Sequence, residues 1–350
     1  MKYSLVFKDL EVADYERVLE VTCEEVGLHA IIALHQTVVG PALGGTRASV
    51  YNSFDDALTD ALRLSRGMTY KSIICGAGTG GGKSVIILPA SAPVLTDDML
   101  RAFGQAVESL KGKYICAEDL GVSVREIAII AEETSYVCGV DSISGNPSIY
   151  TAHGVFLCMQ ETARKLWGSS SLRQKKIAIQ GVGSVGRLLL HSLFFAGAEL
   201  YVSDIVEASV DFAVKLYGAT PLSGEELFAL DCDILSPCAR GNVIRRDNVG
   251  SLHCKAIVGA ANNILEDASI GAVLHERGIV YAPDYLAHAG GLINVVSAVG
   301  SDYDPKAVLS RVEQLPKTLR ELYSRCETLN KDTAELADLL VEERLAAHLS

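Results

Sequence analysis

Lys176-Ile-Ala-Ile-Gln180, running on into Gly181-Val-Gly183-Ser-Val-Gly186 and, further along, Leu200-Tyr-Val-Ser-Asp204, is the stretch that decides the fold. The first segment predicts a strand, the run through Leu188, Leu189, Leu190 and Leu193 a helix, and the third a strand ending in an acid. A lone G-x-G-x-x-G says little. Set between strand and helix, with Asp204 standing 23 residues after Gly181, it says much more. The parts then supply a tight turn, close approach of backbone to a pyrophosphate, helix–strand packing, and a carboxylate for ribose hydroxyls. The pattern predicts a doubly wound, Rossmann-type domain that binds a dinucleotide; a domain of that shape that binds none is the rival. A carboxylate at Asp204 would repel a 2′-phosphate, and no arginine lies within several residues of it, which selects NAD over NADP.

Downstream, Asp233-Ile-Leu235, Ala256-Ile-Val-Gly-Ala260 and Gly278-Ile-Val-Tyr281 predict further strands. Their carboxyl ends carry Pro237-Cys238-Ala239, Ala261-Asn262-Asn263 and Pro283-Asp284, which should border the cofactor crevice. From Asp302 onward the chain is charged and amphipathic, and predicts helices that pack back on the body or on a partner subunit.

Upstream, Gly145-Asn-Pro-Ser148 is turn chemistry and marks a domain boundary, followed by a helix from about Thr151 to Leu166. Residues 1–145 form one α/β domain and 146–300 the Rossmann domain, with a cleft between them; helices over about 300–350 pack back on the first. In the first domain Leu28–Leu34 and Tyr114–Ala117 predict strands. Capping boxes at Ser53-Phe-Asp-Asp56 and Ser123-Val-Arg-Glu126 open helices, the earlier one with Ala57, Leu58, Ala61, Leu62 and Leu64 inside. Glu118-Asp119-Leu-Gly121 therefore lies between the end of a strand and the next helix, where ligands of open α/β sheets collect. A plain turn residue is the alternative for Asp119.

Two lysines, Lys71 of Gly67-Met-Thr-Tyr-Lys71 and Lys83 of Gly80-Gly-Gly-Lys83, stand in a glycine-rich stretch with little side-chain bulk. One lysine at its ordinary pKa can hold a carboxylate; a second becomes a base if burial or a neighbouring cation lowers its pKa. Solvent-facing lysines on a glycine hairpin are the bland reading. Ala77-Gly-Thr-Gly-Gly-Gly-Lys-Ser84 also fits a loosened phosphate loop, but Val85-Ile-Ile-Leu-Pro89 predicts a strand where such a loop needs a helix.

At 350 residues the chain exceeds the usual size of one core, so two domains are expected. A net charge of −12 argues against a nucleic-acid or anionic-membrane partner. No apolar run approaches a membrane span and the first ten residues reach Asp9 before any signal core, so a soluble, cytoplasmic protein is expected. Nine cysteines without C-x-x-C, and eight histidines without H-x-x-x-H, read as reduced core thiols and no metal site.

Taken together these residues resemble the amino-acid dehydrogenases of the Glu/Leu/Phe/Val superfamily, from about residue 10 to residue 300. The resemblance rests on Gly40-Pro-Ala-Leu-Gly-Gly-Thr-Arg47, both lysine segments, Ala117-Glu-Asp-Leu-Gly121, Pro147-Ser148 with Thr151-Ala152, the dinucleotide fingerprint, Ala261-Asn-Asn263, and Tyr281-Ala-Pro-Asp-Tyr285 with Gly290-Gly291. It implies NAD-dependent, reversible oxidative deamination of an L-amino acid with a branched aliphatic side chain to the 2-oxo acid and ammonia, by a homo-oligomer. A phenylalanine-type enzyme, or an NAD-binding regulator of the same fold that has lost turnover, is the alternative. Lys71 would hold the substrate carboxylate, Lys83 activate water and Asp119 shuttle protons. Gly44, Met68, Leu43, Ala117, Leu292 and Val295 would surround the substrate, and Asn262 would meet its amino group or the nicotinamide amide. Gly181, Val182, Gly183, Ser184, Val185, Gly186, Asp204, Ile205, Thr151, Cys238, Ala239, Ala261 and Asn262 would hold the cofactor. A residue larger than glycine at Ala117 goes with aliphatic preference in this family, whereas leucine at Leu292 is commoner in phenylalanine-type enzymes. Ile149, Arg240 and Val122 depart from the family pattern, Val122 by removing a hydroxyl near the Asp119 turn.

Overall fold

The computed structural model describes residues 3–139, 144–300 and 303–349. The chain divides into two compact units: Met1–Gly145 with Val295–Tyr303 and Glu343–Ser350, and Asn146–Asn294 with Asp304–Glu342.

In the first unit, β1 (Val6–Leu10), β2 (Arg17–Cys23), β3 (Leu28–Gln36), β4 (Ala42–Ser49), β5 (Gly80–Ile87) and β6 (Tyr114–Ala117) make one sheet in the order β1-β2-β3-β5-β4-β6. β4 runs parallel to both β5 and β6, while β1, β2, β3 and β5 pair antiparallel. Side chains of β3 alternate between two cores. Ile31 and Ala33 pack with Val85 against Ala57 and Ala61 of α1 (Phe54–Ile74). Ile32, Leu34 and Ile86 pack on the other face with Leu100, Phe103 and Val107 of α2 (Asp97–Ser109) and Ile127 and Ile130 of α3 (Val124–Ile130). Each large apolar side chain so buried contributes roughly 1.5–3 kcal/mol. The expected caps are present: Ser53 accepts from Asp56 N, and Ser123 and Glu126 form a reciprocal box. α1 runs longer than its capping signal alone suggests, through Gly67 and Lys71 to Ile74. The glycine-rich stretch is thus a helix end, a turn at Gly76–Thr79 and a strand start, not one loop.

The second unit opens with α4 (Pro147–Trp167) and alternates β7 (Lys176–Gln180), α5 (Ser184–Phe195), β8 (Glu199–Ser203), α6 (Glu207–Tyr217), β9 (Thr220–Pro221), α7 (Gly224–Ala229), β10 (Ile234–Pro237), β11 (Ala256–Ile257), α8 (Ser269–Glu276) and β12 (Val280–Tyr281). The sheet is parallel throughout in the order β12-β11-β10-β7-β8-β9, the doubly wound arrangement whose winding reverses between β7 and β10. α9 (Asp284–Ala287), α10 (Gly290–Ser297), α11 (Pro305–Val312), α12 (Leu315–Leu329) and α13 (Thr333–Leu349) follow.

The bounds expected at this end of the chain differ from those of the two units. Asp304–Glu342 joins the second unit, and only Val295–Tyr303 and Glu343 onward join the first. α12 carries a stripe of buried Leu315, Leu319, Leu322 and Tyr323; Tyr323 Oη lies 2.7 Å from Thr162 Oγ1 of α4, and Arg320 clamps Glu161 at 2.8 and 2.7 Å. That stripe is satisfied against α4. Asp302, the expected start of the amphipathic segment, lies outside the described residues.

Candidate active site

The strand order puts β4 between β5 and β6, and register does the rest. Ala33, under α1, pairs with Lys83, so Lys83 projects to the α1 side. Leu43 pairs with Gly81 and Thr46 with Ser84, which sets Gly45 beside Lys83, and Gly45 pairs on its other side with Ala117. Lys83, Gly45 and Ala117 form one row. The row is open because Gly45 has no side chain: a Cβ there would stand 3.2 Å from Lys83 Nζ and 2.8 Å from Asp119 Cβ. Gly44 points the other way, and its carbonyl accepts from Tyr114 Oη at 2.9 Å. Leu43 is buried on the row's side of the sheet, one step along from Gly45.

Asp119 follows β6 in a tight turn. Asp119 N donates to Val122 O at 3.1 Å and Val122 N to Asp119 O at 2.9 Å, with Gly121 at φ +78°, the left-handed conformation a type II turn requires. Val122 itself is buried in the α2–α3 core. The turn delivers the Asp119 carboxylate to Lys83, whose ammonium donates to Oδ2, while Arg47 Nε donates to the same oxygen at 3.0 Å. Arg47 continues the chain: Nη1 donates to Asp60 Oδ2 at 2.7 Å, and Tyr51 Oη to that oxygen at 2.8 Å. Burial pushes the Lys83 ammonium below the usual lysine value; Asp119 opposes this and Arg47 adds to it. For Asp119, burial pushes upward but Lys83 and then Arg47 prevail, and the carboxyl is held below its usual range. The side chain of Lys83 is 6% exposed and that of Asp119 27%, so a buried cation meets a carboxylate with one edge at the surface.

The sequence suggests Lys71 as the cation that lowers the Lys83 pKa; Arg47 is a second cation that does so. Lys71 lies half-buried in the last turn of α1, two residues after Thr69, whose backbone packs against Gly81 of β5. Met68 is half-buried on the same helix. Arg47, Asp60 and Tyr51 have no role that sequence reasoning assigns. The available signal is Asp60 interrupting the apolar face of Ala57, Ala61 and Leu64, and Arg47 closing the Gly-Gly-Thr-Arg run. The phosphate-loop reading fails: Gly82-Lys83-Ser84 lies inside β5, and Ser84 Oγ is committed to Thr46 Oγ1 and Tyr114 Oη, each at 2.9 Å.

In the second unit the residues fit a dinucleotide. A Cβ on Gly186 would stand 2.1 Å from Gly181 O and one on Gly181 2.7 Å from Ala239 Cβ, while nothing lies within 4 Å of one on Gly183. Gly183 caps α5 with no side-chain hydrogen bond, so the helix N-terminus, flanked by Val182, Ser184 and Val185, is open to an anion. Asp204 directly follows β8 and accepts from Val182 N at 2.6 Å and Val206 N at 2.8 Å, tying the acid to the glycine turn. Ile205 beside it is 95% exposed. Across the winding reversal, Cys238 N donates to Gln180 O at 2.7 Å, and beside it, between the ends of β11 and β10, Ala261 N donates to Pro237 O at 3.0 Å. Asn262 and Arg240 are exposed. Asp284, expected at the crevice rim, is buried: it accepts from Ile264 N at 2.7 Å and Tyr285 N at 2.6 Å, bracing the loop that carries Asn262. Thr151, on α4 with exposed Ile149, donates to Pro147 O at 3.0 Å and lies against Gly291. Leu292 and Val295 sit one turn apart on α10, buried and half-buried.

Residues 15–136 match the model of the Glu/Leu/Phe/Val dehydrogenase dimerisation domain, and residues 202–335 that of glutamate/leucine/phenylalanine/valine dehydrogenase. The chain is 43% identical to a leucine dehydrogenase of Geobacillus stearothermophilus over 97% of this chain and 93% of that one. It is 39% identical to a phenylalanine dehydrogenase of Thermoactinomyces intermedius over 97% and 94%. The crystal structure of an L-tryptophan dehydrogenase from Nostoc punctiforme superposes with a TM-score of 0.88 at 37% identity, covering 96% of this chain and 97% of that one.

Proposed function

This chain belongs to the Glu/Leu/Phe/Val dehydrogenase family and is an amino-acid dehydrogenase acting on the CH–NH2 group; from that premise we propose that it deaminates branched-chain L-amino acids with NAD. The observation that carries the chemistry is Lys83, buried, shifted towards its neutral form and hydrogen-bonded to Asp119, at an opening that Gly45 leaves clear.

NAD, when bound, supplies the acceptor for the substrate's α-hydride. Gly181, Gly183, Gly186 and the N-terminus of α5 hold its phosphates, with Val182, Ser184 and Val185 around them. Asp204 takes the ribose hydroxyls, and Ile205, Thr151, Cys238, Ala239, Ala261 and Asn262 border the rest. Lys71 holds the substrate carboxylate. Lys83 in its neutral form takes a proton from the water that adds to the imine carbon, because burial and Arg47 lower the cost of losing its own. Asp119, kept ionised by Lys83 and Arg47 and partly open to solvent, relays protons between Lys83, the leaving ammonia and water. Leu43, Met68, Ala117, Leu292 and Val295 offer apolar surface and no charge for a distal carboxylate or ammonium, which supports leucine, isoleucine and valine as substrates with phenylalanine second. Since a methylene discriminates by only about 1–3 kcal/mol, the preference is graded. A homo-oligomer is the working form; the matched dimerisation domain supports that reading.

Steady-state assay of an L-amino-acid panel with NAD and NADP tests the substrate. Glutamate exceeding leucine in kcat/KM ends the branched-chain reading, and phenylalanine exceeding it changes the substrate but not the mechanism. Lys83→Ala should lower kcat by at least 10²–10⁴ with NADH binding intact, whereas Lys71→Ala should chiefly raise KM. Equal, small losses from both would return the lysines to bystanders.

A further inference from the structure

Away from these groups, in the second unit, Cys326 sits on α12 one turn before Asn330, and both face His275 in the last turn of α8. Cys326 Sγ lies 3.6 Å from His275 Nδ1, and His275 Nε2 lies 3.2 Å from Asn330 Oδ1. An amide oxygen only accepts, so Nε2 carries the proton and Nδ1 turns its lone pair on the thiol. Asn330 reaches the ring because it ends α12 in the left-handed conformation, φ +51°, which asparagine tolerates. The three groups border a cavity of about 240 Å³ that Lys165, Tyr281, Tyr323 and Asp332 help to line. We propose that Cys326, His275 and Asn330 form a thiol-exchange site at which small disulfides of neutral or positive charge are opened.

The step balances without a further reagent. His275 Nδ1 takes the thiol proton as Cys326 Sγ attacks one sulfur of the incoming disulfide; its S–S bond breaks, and the departing thiolate takes the proton from His275. Cys326 is oxidised to a mixed disulfide and the released half is reduced to a thiol. Burial holds the resting thiol above its usual pKa, with Lys165 opposing, so the base is needed. The charge preference follows from the lining: Lys165 is paired with Glu327, and buried Asp332, which accepts from Ala334 N and Glu335 N at the start of α13, leaves the lining with an excess negative charge. Of the other cysteines that are not buried, Cys238 lies against Ser236 Oγ, which is not a nitrogen base.

The full-length protein is treated with cystamine and followed by intact mass and peptide mapping, with oxidised glutathione in parallel and both rates normalised to a free cysteine derivative. One cystamine half should arrive first on Cys326, reversibly with dithiothreitol, and faster than glutathione. Cys326→Ser should abolish that first addition, and His275→Gln slow it at least tenfold. Asn330→Gly, which keeps the left-handed cap but removes the amide, should slow it by less. The variants should retain wild-type kcat, which also reports their folding. First labelling at Cys75 or Cys238, or His275→Gln and Asn330→Gly both reacting at the wild-type rate, overturns the site; glutathione outpacing cystamine overturns its charge preference.

Discussion

Arg47 adds to the electrostatic state that burial gives the proposed catalytic pair, bound as it is to Asp119 on one side and to Asp60 on the other. Its positive charge is one reason the Lys83 ammonium is lowered. In oxidative deamination the rate should rise with pH as Lys83 loses its proton, with an inflection below the usual lysine value of about 10.4. Arg47→Met should move that inflection to higher pH by roughly half to one unit, and lower kcat as Asp119 loses an anchor. An unmoved inflection would show that burial alone tunes Lys83. A second buried group makes a stability prediction. His35 is 7% exposed, its Nδ1 lies 2.9 Å from Thr69 Oγ1, and burial, helped by Arg66, lowers it to about 4. Above pH 6.5 neither the folded nor the unfolded chain protonates it. As pH falls from 6.5 towards 4 only the unfolded chain gains the proton, so stability is lost across that window, by up to about 3 kcal/mol. His35→Gln should be less stable at pH 7.5 yet show a shallower loss between pH 6.5 and 4.5 in urea titrations. Equal slopes would remove His35 from the account.

At the scale of elements, the proposed site depends on α1 lying directly on β5. A Cβ on Gly81 would stand 2.1 Å from Thr69 N and 2.4 Å from Ser65 O, so no side chain fits between helix and strand. Gly81→Ala must therefore lift the last turns of α1, which carry Met68 and Lys71. It should cost on the order of 1–3 kcal/mol and raise KM more than it lowers kcat, since Lys83 is fixed by its own strand. A reduced kcat at unchanged KM would separate Lys71 from substrate binding. Much of this level was legible. Lys176–Gln180 and Tyr114–Ala117 are strands with those bounds, because apolar runs between glycine or acidic turns have few alternatives. The fingerprint glycines were readable because their spacing is a local property of one turn. The union of Gly67 and Lys71 with α1 was not legible, since glycine weakens a helix by propensity while here Ser65 and Thr69 are held by tertiary contact. Nor could any spacing reveal that Arg47, Asp60 and Asp119, drawn from a strand, a helix and a turn, share one hydrogen-bonded chain.

For the molecule as a whole, the two sheets pack on separate cores. That the chain has two domains followed from its length, yet the membership of α11 and α12 did not, because an amphipathic helix states that it needs a partner and not which one. α12 found α4 through Glu161–Arg320 and Thr162–Tyr323, contacts about 160 residues apart in sequence. The same α4 supplies a reporter. Trp167, the single tryptophan, ends α4 with Lys175 Nζ 3.9 Å and Lys255 Nζ 5.8 Å from its ring, both on segments of the parallel sheet's unit. Its fluorescence should follow unfolding of that unit. A ligand bound by the folded form alone stabilises it by about 2.7 kcal/mol at 100 times its Kd, so the proposed cofactor NAD should stabilise that transition by this much. The tryptophan midpoint in urea should rise accordingly. Asp204→Ser keeps a short polar group at the glycine turn but loses the carboxylate, so NAD protection should shrink and NADP protection grow relative to it. Equal protection of the wild-type chain by both cofactors would end the NAD assignment, and protection unchanged in Asp204→Ser would move the ribose contact elsewhere.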